Sequence, residues 1–127
     1  MIETRTSTRT VDAVGAALEE SAPEFGLSVL NHHDLAARMT EKGFPFETPV
    51  RVYDVCSAQH ASQVLKTRIE IATAMPCRIA VYEKDGRTLC STLKPSELLG
   101  MFGEPSLQPI AEEVERRIVE LMTHAAG

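Results

Sequence analysis

The chain has no tryptophan, and only four phenylalanines and two tyrosines among its 127 residues. So few rings provide no stacking platform for bases or sugars. Clustered positive charge is missing as well. Thirteen Lys and Arg stand against eighteen Asp and Glu, a net charge of −5, which is the wrong sign for neutralising phosphates, so nucleic acid is excluded as a partner. No apolar run approaches the roughly 18 residues a membrane span requires. The opening Met1-Ile2-Glu3-Thr4-Arg5 lacks the apolar stretch of a secretory signal, which sets the expectation of a cytoplasmic protein. Three cysteines, an odd number, do not make a disulfide framework, and reduced thiols are expected.

Catalytic signatures are equally scarce. There is no G-x-S-x-G elbow and no H-E-x-x-H helix. Gly100-Met101-Phe102-Gly103 lacks the lysine and the helix start of a phosphate loop. Glu19-Glu20 and Glu112-Glu113 read as wet helix faces, not as the buried carboxylates that acid–base work needs. These absences favour a binding protein over an enzyme.

What remains is ordinary globular material. Hydrophobic residues make up 43% and charged residues 24%, close to the average for soluble domains and enough for one core in one domain spanning residues 1–127. Residues 3 to 9 alternate Thr and Ser with charges and read as a polar edge strand. Thr10 reads as the N-cap of a helix with Val11, Val14, Leu18 and Ala22 on one face, ended by Pro23 and Gly26. Leu27 to Leu30 is a short strand. Asp34 caps a second helix carrying Leu35 and Met39, closed at Lys42-Gly43. Phe44 to Pro49 is a loop whose two phenylalanines are expected to anchor it to the core.

Val50 to Cys56 is the next strand, and Ser57 opens a helix with Ala61, Val64 and Leu65 facing inward. Residues 69 to 75 fit either a strand or an extended loop. Cys77 to Tyr82 and Leu89 to Leu93 flank Asp85-Gly86, the signature of a type I′ hairpin. That turn sets Val81 opposite Cys90 and Ile79 opposite Thr92, which makes Cys90 a small core residue. Pro95 suits the start of a short helix. A long last helix, with Ser106 as its cap, buries Ile110, Val114, Ile118 and Leu121. Its wet face is expected to pair Glu112 with Arg116 and Glu113 with Arg117. A hairpin plus long amphipathic helices argue for an α+β fold, with helices packed on one face of a largely antiparallel sheet. A doubly wound α/β sheet is the alternative, disfavoured because the early strands are polar and alternating.

The polar first strand is followed in order by Phe25-Gly26-Leu27-Ser28-Val29-Leu30, Tyr53-Asp54-Val55-Cys56, Ala61 to Leu65, Met75-Pro76-Cys77-Arg78-Ile79-Ala80-Val81-Tyr82, Leu93-Lys94-Pro95-Ser96-Glu97-Leu98-Leu99 and the last helix. In that order these features resemble the DUF302 family, which is related in fold to the TT1751-like group. The family's Cys-Asn-Pro stretch is Cys56-Ser57-Ala58 here, and its Leu-Pro-Cys is Met75-Pro76-Cys77. The resemblance implies a TBP-like α+β fold, a homodimer and no established activity. The polar first strand, as an edge to be paired or covered, points to a second subunit as well.

Two thiols at strand ends are the leading candidates for chemistry. Cys56 closes one strand and Cys77 opens another, so both could meet in a crevice that takes a small-molecule ligand or a partner. A helix starting at Ser57 places Cys56 near its positive end, where a thiolate is favoured. A redox pair is therefore an alternative reading. With His60 one turn on, Cys56, His60 and Cys77 could also hold zinc or copper(I). The plainer reading is that both cysteines are buried small hydrophobes. His32 and His33 point to opposite faces of their strand. His33 is kept as a ligand or proton-transfer candidate, and Arg78 as a candidate on the face opposite Cys77. His124 is expected to be solvated near a frayed end.

Overall fold

The computed structural model describes residues 1–127. Five strands form one antiparallel sheet: β1 (Ile2–Ser7), β2 (Ser28–Asp34), β3 (Val50–Cys56), β4 (Cys77–Lys84) and β5 (Arg87–Leu93), in the order β1-β5-β4-β3-β2. Five α-helices accompany it: α1 (Val11–Ser21), α2 (Leu35–Glu41), α3 (Ala58–Thr67), α4 (Pro95–Gly100) and α5 (Gln108–Ala126). The α+β architecture read from the sequence is the one observed.

Local chemistry explains the boundaries. Thr10 caps α1 by accepting from the Ala13 amide at 3.1 Å, and Asp34 caps α2 by accepting from Ala37 at 3.0 Å. Asp85 (φ 53°) and Gly86 (φ 75°) both take positive φ, as a type I′ turn demands. Hence Val81 lies opposite Cys90 and Ile79 opposite Thr92, and β4 and β5 pair as the hairpin signal indicated. The polar β1 is indeed an edge strand, and β2 is the other.

The pleat sorts side chains onto two faces. Tyr53 and Val55 of β3, Ile79 and Val81 of β4 and Cys90 of β5 point to the helix side. There they join Val14 and Leu18 of α1 and Ile118, Leu121 and Met122 of α5 in one buried core. Each fully buried Ile, Leu or Met contributes about 1.5–3 kcal/mol relative to exposure. Gly15 of α1 lets Tyr53 approach: a Cβ at this glycine would lie 2.6 Å from Tyr53 Cζ. A smaller cluster, Val64, Ile71 and Leu107, with Met75, Leu99, Phe102 and Ile110 against it, sits beside the main core.

Some expectations fail for physical reasons. Phe44 and Phe46 are 71% and 49% exposed and anchor nothing, because α2 buries no residue for the loop to join. Strand β2 runs on to Asp34 past a bulge between Val29 and Asn31, since β3 offers it a partner along that length. Residues 69 to 74 are a 3₁₀ helix that buries Ile71, neither strand nor loop. A 3₁₀ turn, Pro105–Leu107, precedes α5, so Leu107 rather than Ser106 stands at its N-cap. Arg116 bonds Glu113 (2.6 Å) and Glu120 (2.8 Å), not Glu112. Arg116 and Arg117 together hold the Glu113 carboxyl down at about 2. The last turn of α5 is tied down rather than frayed. Ser7 Oγ donates to the Ala126 carbonyl at 2.7 Å, and His124, though exposed, sits against the Phe25 ring.

Candidate functional site

At one end of the sheet the main core and the smaller cluster do not close on each other. The seam between them is a narrow apolar cleft of about 50 Å³. Val55, Cys56 and Cys77 come from the strand ends, and His60, Ala61 and Val64 from α3. Leu98 and Leu99 of α4 and Ile110 and Val114 of α5 form the opposite wall. Small-molecule sites are typically apolar with a few placed polar groups, and this cleft has that kind of lining on a smaller scale.

Register brings the thiols together. Val55 pairs with Cys77 across β3 and β4, and Cys56 follows Val55. Both cysteines are free and partly buried, and both line the cleft. Burial pushes the Cys77 thiol up to about 11, and the neighbouring Cys56 adds to this because two adjacent thiolates repel. Burial raises the Cys56 thiol too. The expected lowering of the Cys56 pKa at a helix start is therefore reversed. Ser57, not Cys56, is the N-cap of α3, and loss of water around the sulfur outweighs the helix dipole. Cys90 is 1% exposed and likewise pushed up to about 11 by burial, as befits a core residue.

The metal set Cys56, His60 and Cys77 needs correction. No group of three His, Cys, Asp or Glu side chains converges as ligands in the structure. His60 also lines the cleft, but its Nδ1 is engaged by Ser57 Oγ at 2.6 Å. Zinc or copper thus finds no three-donor site here.

His33 and Arg78 stand elsewhere. Asp54 pairs with Arg78 on the sheet face away from α1 and α5. His33 Nε2 lies 2.9 Å from Asp54 Oδ2, and Arg78 Nε donates to Asp54 Oδ1 at 3.3 Å. Arg38 Nη2 lies 2.9 Å from His33 Nδ1. Since an arginine can only donate, Nδ1 accepts and Nε2 carries the proton given to Asp54. His32 turns to the other face and meets the Tyr53 ring, so the two histidines do diverge. The arrangement ties β2 and α2 to the sheet, with Asp54 at its centre.

Sequence reading missed two partnerships. Ser57 was legible as a cap and His60 as a ligand, yet their spacing of three at a helix start is what lets them meet. Asp54 is a lone acid inside an apolar strand, which signals a satisfied buried charge.

The family model for DUF302, a domain of unknown function, matches residues 3–125. A solved crystal structure described as an uncharacterized conserved DUF302 protein from Bacillus stearothermophilus is 30% identical to this chain. The match covers 98% of this chain and 97% of that one, with a TM-score of 0.92. No curated protein matches. No helix is long and apolar enough to cross a membrane. By sequence over nearly its whole length and by fold, the chain belongs to the DUF302 family, whose function is unknown.

Proposed function

We propose that this chain is a binding protein that takes a small, mainly apolar ligand into the cleft beside Cys56 and Cys77. The observation that carries the reading is the cleft itself: a seam between two cores, eleven of whose fifteen lining residues are hydrophobic. Interiors normally close to a density of about 0.74, so an apolar seam left open to solvent is a surface kept for a partner. Burial that raises both thiols favours cysteines acting as apolar walls over a thiolate nucleophile or redox pair, which calls for a lowered pKa.

Two copies of the chain act together in this proposal. The sheet face away from α1 and α5 carries Ile2, 64% exposed, and Leu93, 48% exposed, paired across β1 and β5. Half-buried Ala80, Tyr82 and Leu89 lie beside them. A partly apolar sheet face left uncovered beside an edge strand is the kind of surface a self-complementary dimer covers. Light scattering is expected to give twice the 13.9 kDa chain mass; a mass of one chain refutes the pairing.

The binding claim is tested by titrating ¹⁵N-labelled protein with toluene. Saturable amide shifts centred on Val64, Leu98 and Val114 are expected, and Val114→Trp, which fills the cleft, is expected to abolish them without unfolding the chain. Shifts that never saturate, or that scatter over the surface, refute it.

A further inference from the structure

The cleft is apolar but not featureless. Among the side chains that line it, Ser57 and His60 alone bring strong hydrogen-bonding groups, and none brings a fixed charge. Ser57 Oγ and His60 Nδ1 meet at 2.6 Å. That bond uses one hydrogen and one lone pair, and what is left over suits an oxygen atom. If Ser57 donates, His60 keeps its proton on Nε2 as a donor, and Oγ keeps acceptor capacity. If Nδ1 donates, Nε2 becomes the acceptor and the Ser57 hydroxyl proton is free. Either tautomer offers one donor and one acceptor, the complement of a hydroxyl; a carbonyl needs only the donor.

Ser57 is also withheld from its ordinary local job. It is the N-cap of α3, yet its side chain makes no cap bond, whereas an N-cap serine usually accepts from a first-turn amide. Its oxygen serves the His60 pair at the cleft wall instead. The absence of Lys and Arg from that wall weighs against an anionic head group. A carboxylate or phosphate stripped of water there would meet no counter-charge.

The geometry points to a neutral ligand with a mainly apolar body and a single hydroxyl or carbonyl oxygen. The oxygen rests on the Ser57–His60 pair and the body lies between Val64, Leu98 and Val114. This specifies the ligand class of the binding reading above and rests on it.

The test uses the full chain, labelled with ¹⁵N and titrated at pH 7.5 with 1-hexanol, hexane and hexanoate. Hexanol is expected to saturate with shifts at Ser57, His60 and Val114. Ser57→Ala is expected to weaken hexanol roughly three- to tenfold, the share of one neutral hydrogen bond, and to leave hexane unweakened. His60→Leu removes the pair without touching the N-cap residue and is expected to repeat the result. Hexanoate is expected to bind at least about tenfold more weakly than hexanol, because its charge must be desolvated. Hexanol binding that ignores both variants, or hexanoate binding tighter than hexanol, overturns this inference while the apolar cleft stands. No saturable shift with any of the three probes overturns the binding reading itself.

Discussion

The thiols give the sharpest chemical prediction, because the two readings of this site require opposite shifts. An unperturbed cysteine near 8.5 has about a tenth of its thiol ionised at pH 7.5. Cys77, pushed up to about 11 by burial and by Cys56, holds about 0.03% as thiolate at that pH, by the same proton equilibrium. Alkylation proceeds through the thiolate, so Cys77 should react roughly 300-fold more slowly than a free thiol. Steric burial slows it further. The rate should climb about tenfold per pH unit from pH 7 to 10 without levelling off. Cys56 should also react more slowly than a free thiol, with its mid-point shifted upward. The assay is a pulse of iodoacetamide at each pH, quenched and read by peptide mass spectrometry, with the denatured chain as reference. A rate at Cys56 or Cys77 that levels off below pH 7.5 would refute the argument and restore a reactive thiol pair.

Four further outcomes follow from the same structure. Cys77 and Cys90 both hold their protons more tightly when folded than unfolded. Stability should therefore be flat below about pH 8.5 and fall between about 8.5 and 11, by at most about 1.4 kcal/mol per pH unit per thiol, and urea unfolding at pH 8, 9 and 10 checks this. Gly15→Ala gains up to about 1 kcal/mol of helix propensity but drives a methyl into the Tyr53 ring; overpacking of about 1–3 kcal/mol should win, so the melting temperature falls. Ile118→Ala empties a fully buried site of the main core and should cost about 2–5 kcal/mol in denaturant unfolding. Asp54→Ala leaves His33 and Arg78 without their shared carboxylate. It should cost about 1–3 kcal/mol and speed amide exchange in β2 and α2 more than in α5.

Much of the fold was legible because local and tertiary signals agree. Asp85-Gly86 fixes a turn, the turn fixes a register, and the register places Cys90 in the core. The apolar spacing of α5 likewise points Ile118 and Leu121 at the sheet. Elements went astray where tertiary partners decide. Residues 69 to 74 have no periodicity of their own and coil into a 3₁₀ helix because Ile71 finds Val64 and Leu107. The expectation for the loop phenylalanines followed the general tendency of apolar side chains to turn inward, but Phe44 and Phe46 stay exposed beside a helix that buries no residue. At the site, strand ends announced Cys56 and Cys77, and antiparallel pairing delivers Cys77 opposite Val55. The wall made by Leu98, Leu99, Ile110 and Val114 was not visible, since α4 and α5 follow the thiols by many residues and nothing local records that they return. His33 and Arg78 were noticed singly. Their shared partner, Asp54, is a cross-strand fact that only the register reveals.

The cleft can be probed with no assumption about its natural ligand. Xenon enters small apolar cavities and scatters strongly. A crystal of the protein pressurised with xenon should show a bound atom among Cys77, Val64, Leu98 and Val114. Density confined to other sites, with the walls closed against one another between the two sulfurs and α5, would contradict the account.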